Sequence, residues 1–134
     1  MIKIKDTLAI ENILSNKKIT HSKLLSTSFG INCIKVITSD KKNYVVKFYN
    51  NNNKKEFNAI ESEKKNLIFL NRLNSKLFPK VYSTNDKYLI VSYFKNDGAQ
   101  PLKLKNDLLN SIILLHSNKS KKYGFGFDTQ IGGL

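Results

Sequence analysis

Lys47 is the residue whose surroundings most require a chemical explanation. It sits in Tyr44-Val45-Val46-Lys47-Phe48-Tyr49, where strand alternation puts Val45, Lys47 and Tyr49 on one face and Tyr44, Val46 and Phe48 on the other. Both faces are apolar, and an unpaired ammonium buried there is costly. A carboxylate on a neighbouring element would hold it, and a lysine so held offers a fixed cation to phosphate. Glu63 is the favoured partner, because it falls three residues after Ile60, four before Leu67 and seven before Leu70, on the apolar stripe of a helical pattern. Glu61, four residues after Phe57 and seven before Ile68, is the alternative. A lysine on an edge strand, snorkelling to water and blocking edge pairing, would leave the same local pattern.

The other reactive residue types are sparse. Cys33 is the single cysteine, so an internal disulfide is excluded, and no Cys/His set has metal-ligand spacing. A redox role for Cys33 would need an acidic, exposed thiol; a small buried apolar residue is the plainer reading. His116, in Leu114-Leu115-His116-Ser117-Asn118, reads as a cation at a helix end, where the dipole favours it. Asp97 and Asp107 are isolated, one a turn residue and one on a solvated helix face. Neither a Ser/His/Asp nucleophile set nor a pair of carboxylates spaced for acid–base work can be assembled.

The elements that must position Lys47 follow from periodicity. Residues 6–16 read as a short amphipathic helix through Leu8, Ile10, Ile13 and Leu14, lying outside the main sheet. Apolar stretches at 19–25, 33–38 and 44–49 read as three strands, the last two joined through the polar turn 39–43 into an antiparallel hairpin. Ser26, Thr27, Ser28, Phe29 and Gly30 form a small-residue loop between the first two. Residues 54–74 read as an amphipathic helix, followed by Pro79 and a second hairpin, 80–84 with 88–94, around Asn85-Asp86. A linker with Asp97, Gly98 and Pro101 leads to a helix over 105–117 that is apolar enough to be largely buried. The fold class is therefore α+β: a five-stranded antiparallel sheet with one principal helix, a connector helix and an unfinished glycine-rich tail. The domain division is 1–18, 19–94 and 95–134. The tail, 123–134, holds four of the six glycines, and the chain stops inside it, so truncation is expected.

The chain has 134 residues, with 40% hydrophobic and 25% charged residues, a composition that forms a core and is unlike that of disordered chains. No apolar run approaches the roughly 18 residues of a membrane span, so a cytoplasmic location without membrane contact is expected. Lys+Arg number 23 against 10 Asp+Glu, a net charge of +13. Such a charge raises a non-catalytic module for RNA or DNA as the competing function. It is discounted here, because Arg72 is the one arginine and arginine is the usual reader of phosphate and bases. The lysines are spread through every segment, as A/T-rich coding would produce. Tyr44, Phe48, Tyr88 and Tyr93 lie in apolar strands, leaving Tyr123, Phe125 and Phe127 free to stack on bases.

An ordered set of motifs then resembles a known family. Val45-Val46-Lys47-Phe48, the helix with Glu63, Leu67 and Leu70, Phe78-Pro79-Lys80-Val81-Tyr82, the hairpin ending Leu89-Ile90-Val91-Ser92-Tyr93-Phe94, the helix ending Leu114-Leu115-His116, and 123–133 resemble the first part of a fructosamine kinase (ketosamine-3-kinase). That family lies in the aminoglycoside phosphotransferase and choline kinase superfamily of protein-kinase-like folds, and the resemblance runs over about 19–134. It implies the small, nucleotide-binding lobe of an ATP-dependent enzyme that phosphorylates a hydroxyl of a sugar–amine acceptor. Lys47 would position the phosphates, Glu63 would orient Lys47, Ser26 to Gly30 would lie over the phosphates, and the backbone of Ser92 to Phe94 would form the hinge that bonds adenine. Ile34, Val45 and Val91 would be apolar walls for the base. The departures are specific: one glycine in the phosphate loop, no His-Gly-Asp or His-Arg-Asp with a downstream Asn, and no Asp-Phe-Gly. No catalytic residue is assigned in this chain. The base and the Mg²⁺ ligands would belong to a missing C-terminal lobe, and the chain alone would be inactive. The acceptor could equally be of the aminoglycoside or choline type.

Overall fold

The computed structural model describes residues 2–50, 58–73, 78–82, 85, 87–95, 104–119 and 121. The elements run α1 (Ile4–Ile13), β1 (Ile19–Ser28), β2 (Ile31–Thr38), β3 (Asn43–Tyr49), α2 (Ala59–Leu73), β4 (Tyr88–Ser92) and α3 (Leu104–Ser117). The strands form one antiparallel sheet in the order β1-β2-β3-β4. Residues 51–57, the linker 96–103 and the tail 122–134, with Tyr123, Phe125 and Phe127, lie outside the described residues.

Alternation splits the sheet into two faces, each buried by a different helix. Ile34, Val36, Tyr44, Val46, Phe48, Tyr88 and Ile90 pack with Ile10 and Leu14 around α1. The α1 helix thus lies on the sheet rather than in it. Two polar bonds fix it: Tyr88 Oη donates to Asp6 at 2.6 Å, and the Ile19 amide donates to the Glu11 carboxylate at 2.7 Å. The amide bond, more than nearby Lys18, holds the Glu11 carboxyl below its ordinary value. The opposite face carries Leu89 and Val91, which pack with Ile60 of α2 and with Val45, Tyr49 and Leu67.

Three sequence expectations change. Among the described residues the sheet has four strands where five were expected. Where the fifth was expected, Val81 makes one isolated bridge to Val91, flanked by amide bonds from Tyr82 to Ile90 O and from Ser92 to Lys80 O. On one side the Lys80 amide donates to the Ser92 hydroxyl instead of its carbonyl, and on the other residues 83 and 84 lie outside the described set. β1 runs on through Ser26, Thr27 and Ser28, so the expected five-residue loop shrinks to a two-residue turn. Finally, α3 is not largely buried: Leu108, Leu109, Ile112 and Ile113 are 63%, 55%, 44% and 56% exposed. Its apolar composition carries no information about what packs on it. None of the described helices is long and apolar enough to cross a membrane.

Candidate functional site

β3 lies between β2 and β4, so Lys47 is on an interior strand and the edge-strand explanation does not apply. Its register partners are Cys33 on β2 and Leu89 on β4. Ser26 of β1 pairs with Cys33, so one row across the sheet reads Ser26, Cys33, Lys47, Leu89. Residues paired in register share a face, and this is the face covered by α2.

Local chemistry fixes α2 over that row. Asn58 caps the helix, its Oδ1 accepting from the Glu61 amide at 3.1 Å, a standard N-terminal cap. Tyr49, two residues beyond Lys47, has its hydroxyl 2.9 Å from the Ala59 amide and accepts from it. Ile60 is 1% exposed, and Leu67 packs in the same cluster. That stripe turns Glu63, which falls between them, toward the sheet. The result is a two-oxygen contact: Lys47 Nζ donates to Glu63 Oε1 at 2.6 Å and to Oε2 at 2.9 Å. Glu61 turns away and pairs with Lys65 at 2.8 Å, one helical turn on. The Lys47 and Glu63 side chains are 30% and 39% exposed, so the pair is reachable from solvent.

The remaining expected residues distribute unevenly. Ser26 and Ser28 pair with Cys33 and Ile31 and share the Lys47 face, whereas Thr27 pairs with Asn32 on the other. The Thr27 hydroxyl donates to Asn32 Oδ1 at 2.9 Å. Phe29 and Gly30 form the turn with φ of 49° and 74°, the positive values a two-residue hairpin turn requires. The Gly30 carbonyl accepts from the Asn50 amide at 2.8 Å, tying the turn to the end of β3. Ser92 is committed on both sides, its amide donating to Lys80 O and its Oγ accepting from the Lys80 amide at 3.0 Å. Phe94, 57% exposed, makes no hydrogen bond among the described residues.

Ile34 is a correction: it is buried against α1 on the face opposite Lys47 and cannot wall a site there. Val45 and Val91 are on the Lys47 face. Tyr49 and Asn58, which seat α2, went unassigned in the sequence reading, although an Asn before a helical stripe is a cap signal. Among the described residues no group of three His, Cys, Asp or Glu side chains could hold a metal ion. His116 is exposed in the last turn of α3.

This arrangement of an α2 glutamate on an interior-strand lysine sits in a fold that other proteins share. The family model for fructosamine kinase matches residues 1–134, so the chain belongs to the fructosamine kinase family, a family of phosphotransferases. A candidate fructosamine-3-kinase from Thermobifida fusca YX-ER1 superposes with a TM-score of 0.82 at 17% identity, covering 98% of this chain and 46% of that one. The streptomycin–ATP ternary complex of APH(2")-IIa, an aminoglycoside phosphotransferase, gives a TM-score of 0.62 at 18% identity, covering 90% of this chain and 42% of that one. The chain thus spans less than half the length of either structure. No curated protein matches it.

Proposed function

We propose that this chain is the nucleotide-binding part of an ATP-dependent kinase that phosphorylates a hydroxyl of a small sugar–amine substrate. The observation that carries the proposal is the two-oxygen contact of Glu63 with Lys47. An ammonium has three N–H donors; two engaged by one carboxylate leave a third, held in direction, for a phosphate oxygen. ATP suits the donors present. The Lys47 cation and the Ser26 and Ser28 hydroxyls share one face near the hairpin turn, and the backbone of Phe94, without a hydrogen bond among the described residues, follows the end of β4. ATP would supply the phosphoryl group. Lys47 would orient its phosphates, Glu63 would keep Lys47 extended, and the Phe29-Gly30 turn would cover them. With one glycine and a short turn, that cover offers fewer amide donors than a glycine-rich loop.

The general base and the magnesium ligands are assigned to residues outside this chain, in the C-terminal lobe of a longer protein, along with most of the acceptor site. The test is a titration of the folded chain with a fluorescent ATP analogue, beside the same titration with single-stranded RNA. Saturable nucleotide binding that is weakened at least about tenfold in Lys47→Ala is expected, without phosphoryl transfer. Absence of nucleotide binding, with tight RNA binding and a steep salt dependence, would replace this reading with a nucleic-acid module.

A further inference from the structure

A concavity open to solvent lies at the end of the sheet where β2 turns into β3. Its volume is about 530 Å³ and it is lined by Lys35, Lys42, Asn43, Lys95 and by Tyr44, Tyr82 and Tyr93, a size in the range of small-molecule sites. Its charge is one-sided, with three ammonium groups and no carboxylate in the wall. Lys42 has a distant partner, Asp40 at 3.9 Å, but Asp40 is taken at 2.6 Å by Lys17. Among the described residues neither Lys35 nor Lys95 has an ion-pair partner.

Lys35 is not a loose surface lysine. It is half-buried, and its Nζ rests 4.2 Å from the centroid of the Tyr93 ring, a cation–π contact that limits its freedom. Tyr44 and Tyr82 brace the opposite wall with rings edge to face, 5.2 Å between centroids. The walls are therefore preordered, and two of the ammonium groups they carry, on Lys35 and Lys95, have no counter-charge among the described residues.

We infer that this concavity is a binding site for the phosphate group of a small phosphomonoester, such as a sugar phosphate, distinct from the Lys47–Glu63 site. A phosphomonoester dianion matches three ammonium donors better than a monoanion does, and tyrosine hydroxyls and ring edges suit an attached sugar. Lys35 lies opposite Val45, two strand residues or about 6.6 Å from Lys47, and Asn43 is four strand residues or about 13 Å from it, so the concavity adjoins the Lys47 face but extends away from the Glu63 pair. The inference does not depend on the nucleotide reading.

The probe is glucose 6-phosphate, with glucose as the uncharged control, titrated into the ¹⁵N-labelled chain at moderate salt while the Asn43 and Tyr93 amides are followed by NMR. Saturable shifts with the phosphate and none with glucose are expected. Lys35→Gln and Lys95→Ala should each weaken binding, and together by at least about tenfold, the effect of one lost charge-assisted hydrogen bond. Lys47→Ala should leave it within about twofold. Lys95 is exposed, so its variant tests the site even where Lys35→Gln disturbs the Tyr93 contact. The inference is overturned if the shifts spread over the surface lysines without saturating. It is equally overturned if both pocket variants bind normally, if Lys47→Ala weakens binding as much as they do, or if single-stranded RNA displaces the sugar phosphate at lower concentration.

Discussion

Glu63→Gln keeps the shape of the side chain on α2 and removes its charge, which separates what the ion pair does for folding from what it does for nucleotide. With the Lys47 and Glu63 side chains 30% and 39% exposed, solvent screens the pair. Its contribution to stability falls in the range of accessible pairs, about 0.5–1 kcal/mol, well below that of a buried pair broken on one side. For a chain of this size that is a fall in Tm of about 2–5 °C. Nucleotide affinity should move further. A hydrogen bond from a charged donor is worth about 1.5–3 kcal/mol, so Lys47→Ala should weaken an ATP analogue by roughly 10- to 150-fold. Glu63→Gln, which leaves the ammonium present but undirected, should cost about tenfold. The two losses should combine to much less than their sum, because the residues act as a unit. Fluorescence anisotropy with the analogue, with circular dichroism as the folding control, measures all four corners of the cycle. A natively folded Lys47→Ala chain with undiminished affinity would refute the assignment of Lys47 to the phosphates.

Three further outcomes follow from the packing. Ile10→Ala removes a fully buried side chain between α1 and the sheet and should cost about 2–5 kcal/mol, read as a lower urea midpoint. At acid pH, Asp40 is held down to about 2, first by Lys17 and then by the Thr38 hydroxyl, and Glu11 is also depressed. Both carboxyls therefore stabilise the fold above their ordinary values, 3.8 for Asp40 and 4.5 for Glu11, and lose that contribution as pH falls toward 2. The urea midpoint should decline across that window, and less in a Glu11→Gln, Asp40→Asn chain. Burial, followed by the Asp6 contact, raises the Tyr88 phenol far above its ordinary value. Tyr88 should therefore ionise last in an alkaline absorbance titration, with stability lost as pH climbs past 10, and Tyr88→Phe should abolish that late step.

The pairing of Lys47 with Glu63 could be anticipated because it depends on local patterns: alternation along one strand and the Ile60–Leu67 stripe on one helix. The interior position of that strand could not, since strand order is settled by non-local pairing with Cys33 and Leu89. Ile34 illustrates the same limit. Which of two adjacent strand residues meets Lys47 depends on inter-strand register, and the β2–β3 register puts Cys33, not Ile34, opposite it. The extension of β1 through Ser26, Thr27 and Ser28 was hidden by residue types that favour turns, yet pairing with β2 overrides their preference. The helix over 104–117 shows that apolar content measures capacity for burial, and burial itself needs a partner element.

Tyr49 and Lys47 hold α2 at two points, Ala59 and Glu63, and the spacings of the two elements are commensurate. Two residues along a strand advance about 6.6 Å, and four along a helix about 6.0 Å. The helix is therefore indexed to β3 like a key with two teeth. A slip of one residue would swing Glu63 by about 100° off the lysine and move Ala59 off the phenol together. The two teeth differ in kind, one charged and screened by salt, the other a neutral phenol–amide bond. Rising ionic strength should thus free Glu63 while the start of the helix stays hinged on Tyr49, turning a clamp into a pivot.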